Sequence, residues 1–77
     1  MTWSEALLAR AVQEGLYAQR KLDGDPSTIG PDDHEELQRI VSQGKRAESL
    51  LRREGSIEYV RGAYERAGVE YVEEGSQ

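Results

Sequence analysis

Apolar residues in this chain fall into three blocks, each with the three-and-four spacing of a helix that buries one face. Leu7, Leu8, Ala11, Val12, Ala18 and Leu22 predict a first helix over about residues 3–22. Thr2 with Glu5 forms a capping box at its start, in which side chains satisfy free backbone N–H groups. Gly15 sits inside this helix, where it is less favourable than Ala by about 1 kcal/mol; such a glycine often permits close approach of another helix. Leu37, Ile40, Val41, Gly44, Ala47, Leu50 and Leu51 mark the buried stripe of a second helix over about 31–54. Both of its ends are signed. Pro31 suits the first turn, where its missing N–H would be unpaired anyway, and Gly55 accepts the positive φ of a helix exit. Asp32, Asp33, Glu35 and Glu36 lie at the positive end of the helix dipole, and Arg52 and Arg53 at the negative end. Ile57, Val60, Ala63 and Tyr64 give the apolar face of a third helix over about 56–67, with Ser56 as N-cap and Gly68 as terminator.

Between the first two helices, DGDPSTIGP holds two prolines and two glycines and reads as a loop, with Ile29 placed to tuck it onto the core. After Gly68, Val69 and Val72 are spaced to pack together in one more helical turn. No run of alternating β-branched and aromatic residues supports a strand. The predicted fold is all-α: a small three-helix domain over residues 1–77 with a short C-terminal helical turn.

Composition narrows the function. The chain has 77 residues and no cysteine, which excludes a disulfide scaffold, a Cys-ligated zinc and a Cys nucleophile. Fifteen acidic residues against ten basic ones give a net charge of −5, so no broad attraction to phosphate backbones is expected. Basic pairs at Arg20-Lys21, Lys45-Arg46 and Arg52-Arg53 read as solvated helix faces. No apolar run approaches the roughly 20 residues of a membrane span. The N-terminal residues lack the pattern of a secretory signal, so the expectation is a soluble cytoplasmic protein.

Candidate chemistry is sparse. His34 is the single histidine. Its acidic neighbours Asp32, Asp33, Glu35 and Glu36 are adjacent in sequence and point in different directions on a helix, so they do not converge on a metal. The serines lie in no nucleophile-elbow context, and the glycines are too scattered to cradle a phosphate. The expectation is a binding module, with no catalytic residue, metal or cofactor. Tyrosines interleaved with arginines in YVRGAYER suit stacking on bases or anchoring a protein interface; Arg61 and Arg66 are the candidate nucleic-acid contacts. The plainer reading makes Tyr64 core and Tyr59 half-buried.

The order of features resembles the sigma-70 family of bacterial transcription initiation factors. Glu5, Leu8, Ala9, Val12, Gly15, Leu16 and Ala18 fall in the register of the region 1.2 pattern E-x-x-L-A-x-x-I-E-x-G-L-x-A, with Glu14 one residue beyond its second Glu. After a variable linker, Leu37, Ile40, Val41, Gly44, Ala47 and Leu51 match L-x-x-I-V-x-x-G-x-x-A-x-x-x-L. Glu54, Val60, Ala63 and Tyr64, then Gly68, Val69, Val72, Glu74 and Gly75, follow regions 2.1 and 2.2. The family's Asn-Leu-Arg is replaced by Gly55-Ser56-Ile57, and Glu73 stands where the family has Gln. The resemblance covers nearly the whole chain and stops short of the promoter-melting segment. It implies a fragment-like transcription module that docks on the β′ subunit of the RNA polymerase core. Glu70, Tyr71, Val72, Glu73 and Glu74 are then the candidate partner-binding residues, with Glu74 at the family's Q-E-G contact. The alternative expectation is a small helical interaction protein, phage- or antitoxin-like, that self-associates as a homodimer, because three short helices make a thin core.

Overall fold

The computed structural model describes residues 4–24, 27 and 29–71. Three helices and no strand are present among them: α1 (Glu5–Asp23), α2 (Pro31–Arg53) and α3 (Ile57–Ala67). The all-α expectation holds, with helix limits within a residue or two of those predicted.

Local chemistry explains most of the ends. The α1 N-cap is Ser4, not Thr2; its Oγ accepts from the Leu7 N–H at 3.4 Å. Two hydroxyl residues precede this helix, and the chain starts it from the nearer one. Ser56 precedes α3 as expected, but its side chain makes no capping hydrogen bond. The exits of α2 and α3 share one device. Gly55 (φ 79°) and Gly68 (φ 70°) take the left-handed conformation. Gly55 and Ser56 donate to the carbonyls of Arg52 and Leu51, while Gly68 and Val69 donate to those of Glu65 and Tyr64. Each pair closes a Schellman motif and satisfies two carbonyls that a bare helix end would leave free. The left-handed Gly68 turns the chain away from the axis of α3. Residues 69–71 accordingly carry no helical turn, contrary to expectation, and Val72 lies outside the described residues.

The helix α1 is the hub. It packs along α2 and against α3, whereas α2 and α3 touch each other little. Leu8, Ala9 and Val12 of α1 meet Ala47 and Leu51 of α2 and Val60 and Ala63 of α3 in one core, in which Leu51 and Val60 are wholly inaccessible. No polar or charged side chain is buried among the described residues.

The α1–α2 seam is closest where two glycines face each other. A Cβ placed on Gly44 would stand 2.9 Å from the Cα of Gly15 and 3.0 Å from the Ala11 carbonyl oxygen. One placed on Gly15 would stand 3.0 Å from the Cα of Gly44. Both helices therefore touch backbone to backbone at this point, where a side chain of any size would force them apart. No helix among the described residues is long and apolar enough to cross a membrane.

Candidate partner-docking site

The predicted partner-binding residues begin where α3 ends, and α1 fixes that exit. Tyr17 donates its hydroxyl to the Arg66 carbonyl at 2.8 Å, and the Arg20 guanidinium donates to the Ala67 carbonyl at 3.1 Å. Both donors rise from one side of α1, three residues apart, and meet the carbonyl end of α3. A cation beside the last turn of a helix is also favoured by the dipole. Arg20 is thus a structural contact, where the sequence suggested a solvated face.

Tyr71 then folds back onto the helices. Its ring meets Tyr64 edge-on with centroids 5.0 Å apart. The Arg52 and Arg61 guanidiniums stand 5.7 and 5.9 Å from its centroid, within cation–π range. The Tyr71 hydroxyl is buried and has no hydrogen-bond partner among the described residues. Beneath the ring, Glu48 of α2 accepts from the Tyr64 hydroxyl at 2.6 Å and from Arg52 Nε at 3.1 Å. Burial pushes the Tyr64 phenol up to about 12 from 10.0; the hydrogen bond to Glu48 and that carboxylate's charge add to the shift. This polar seam ties α2, α3 and the outgoing segment together.

The candidate set is therefore divided. Glu70 is exposed and Val69 half-buried, whereas Tyr71 is engaged within the chain as a clamp on its own helices. Val72, Glu73 and Glu74 lie outside the described residues. The nucleic-acid candidates are not brought together: Arg61 and Arg66, five residues apart, are separated by about 140° around α3. The Arg61 guanidinium faces Tyr71, and the Arg66 carbonyl is used by Tyr17. Tyr59 is exposed, at 44%, and not half-buried as expected; Tyr64 joins the core margin. His34 stands exposed in the first turn of α2, and no group of three metal-ligating side chains converges among the described residues.

A second surface feature lies on the α1–α2 pair. Lys21, Ile29, Asp33, Glu36, Leu37 and Ile40 line an open groove of about 640 Å³ to which α3 contributes nothing. Ile29 is half-buried and forms one wall; it lines this groove and does not join the core as its apolar character suggested. Glu48 with Tyr64, Tyr17 with Arg66 and the groove itself went unread in the sequence. The one available signal was the Tyr17–Arg20 spacing, which puts two donors on the same side of α1.

Comparison with family models, curated proteins and solved structures gives no match for this chain.

Proposed function

We propose that this chain is a non-catalytic transcription module, resembling the sigma-70 stretch from region 1.2 to region 2.2, that docks on the RNA polymerase core. One observation carries the reading. Among the described residues, every buried one except Ala67 occupies a position that carries the resemblance: Leu8, Ala9, Val12, Gly15 and Ala18 in α1, Gly44, Ala47 and Leu51 in α2, Val60 and Ala63 in α3. Two of these are the glycines that meet at the helix crossing, far apart in sequence and in contact in space. Small residues at matched positions in both helices are what a shared packing scheme requires, beyond a mere apolar pattern.

Exposed Glu70 leads into the acidic Glu73 and Glu74, which would meet basic residues on the β′ subunit and chiefly speed encounter and set specificity. Co-purification of the tagged chain with purified bacterial core polymerase tests the proposal. Retention of core by the parent chain, and its loss in Glu74→Arg, is the expected result. Recovery of no polymerase subunit by the parent chain refutes it.

A further inference from the structure

What holds Tyr71 against the helices is its ring. Val69 is the last residue whose N–H is bonded to the fold, through the Tyr64 carbonyl, and no backbone hydrogen bond ties Glu70 or Tyr71 among the described residues. The ring rests on Tyr64 and on the Arg52 and Arg61 guanidiniums. Against these contacts stands a buried hydroxyl with no partner. In water that group makes hydrogen bonds, so the inward position carries a desolvation cost that an outward one does not. The socket does not depend on its occupant: Tyr64 is tied to Glu48, and Glu48 to Arg52, without help from Tyr71. Tyr71 is also the one aromatic residue among the candidate docking residues, and aromatic side chains are the usual anchors of an interface. Turned inward, it is withheld from a partner.

We infer, resting on the proposed docking on core polymerase, that this contact is autoinhibitory: the segment after α3 engages its partner only when the Tyr71 ring has left the socket formed by Tyr64, Arg52 and Arg61. Closed and open forms are then in equilibrium, and the affinity for a partner scales with the open fraction. Two substitutions push that equilibrium in opposite directions. Tyr71→Phe keeps the ring and removes the unpartnered hydroxyl, so the closed form gains. Arg61→Gln removes one of the two cations beside the ring, so the closed form loses. Arg61 is exposed, and the core residues do not depend on it.

Two measurements on the full chain test the inference. In the first, purified core polymerase is titrated against the parent and each variant, labelled at the N-terminus and followed by fluorescence anisotropy. Tyr71→Phe should bind about tenfold more weakly than the parent and Arg61→Gln about threefold more tightly, with the double variant between them. Tighter binding on loss of an arginine is a result that a lost partner contact does not produce. In the second, the free chain is followed by NMR. The chain has no phenylalanine, so the ring introduced by Tyr71→Phe is a unique reporter. Its protons should be displaced by the neighbouring Tyr64 ring, and adding Arg61→Gln should move them toward random-coil positions. Random-coil positions for Tyr71→Phe alone overturn the inference with no polymerase present. Arg61→Gln binding no more tightly than the parent, or Tyr71→Phe binding as tightly, overturns it and leaves the docking reading standing. No affinity for core in any of the chains removes the docking reading, and the inference falls with it.

Discussion

The contact between Gly15 and Gly44 makes a sharp prediction for Gly44→Ala. Two effects oppose each other. Alanine in place of an interior helical glycine stabilises α2 by about 1 kcal/mol. Its methyl group, however, lands 2.9 Å from the Gly15 Cα and 3.0 Å from the Ala11 carbonyl oxygen. Unbonded carbon atoms prefer about 3.5–4.0 Å. Both neighbours are backbone and cannot swing aside, so α1 and α2 must part locally by roughly 0.5–1 Å. Parting loosens the core beside the crossing, where Val12 and Leu8 meet Ala47 and Leu51. Overpacking of this kind costs about 1–3 kcal/mol. With rigid backbone as both neighbours the cost falls in the upper part of that range, about 2–3 kcal/mol, so the steric effect wins with a net loss of about 1–2 kcal/mol after the propensity gain. For a domain of this size each kcal/mol moves Tm by about 4–8 °C, so thermal denaturation followed by far-ultraviolet circular dichroism should show a fall of about 5–15 °C. Gly62→Ala is the internal control. A Cβ there meets nothing within 4 Å, so the same substitution in α3 should raise Tm by a few degrees. Gly15→Ala combined with Gly44→Ala should cost less than the sum of the two, because one separation accommodates both methyls. A rise in Tm for Gly44→Ala like that for Gly62→Ala would refute the close crossing.

Other consequences are equally direct. Leu51→Ala removes a wholly buried side chain and should lose about 2–5 kcal/mol, enough to leave much of so small a protein unfolded in a denaturant titration. The raised Tyr64 pKa makes the folded chain hold its proton longer than the unfolded one, so this contribution is intact below pH 10 and lost as pH climbs toward 12; Tyr64→Phe should flatten that alkaline slope while lowering stability near neutrality by about 1 kcal/mol, through the lost bond to Glu48. Tyr17→Phe and Arg20→Ala each remove one donor to the end of α3, and each should cost about 0.5–1 kcal/mol and speed amide hydrogen exchange in its last turn, with little change in the first half of α2.

What could be read ahead of the structure was the local part. Pro31 and Gly55 bracket α2 because a missing N–H and a positive φ are properties of single residues, visible without knowing the fold. The apolar stripes named most of the core for the same reason, but Leu7 and Leu50, which belong to them by spacing, stand exposed because only part of each stripe is covered by the other helices. The start of α1 was misplaced because Thr2 and Ser4 offer the same hydroxyl chemistry two residues apart, and the sequence pattern alone does not rank them. The segment after Gly68 failed differently. Its spacing of valines suits a helical turn, but the Schellman closure redirects the backbone, and Tyr71 finds its place against Tyr64, Arg52 and Arg61. Those partners come from other elements, so no periodicity could reveal the clamp. Glu48 and Tyr64 are likewise sixteen residues apart and on different helices. Glu70 is exposed, and Tyr64 packs at the core margin as its spacing suggests; the inward turn of Tyr71 was not legible.

The position of α1 between the other two helices has a consequence for how the chain comes into being. During synthesis α1 must hold an apolar flank open until α3 is made, because α3 leans on α1 and scarcely on its neighbour α2. A nascent chain can pair α1 with α2 early, through contacts near in sequence, but its hydrophobic centre closes only when Val60 and Ala63 arrive. The arrival of α3, and not the pairing of α1 with α2, is then the moment at which these helices acquire their order.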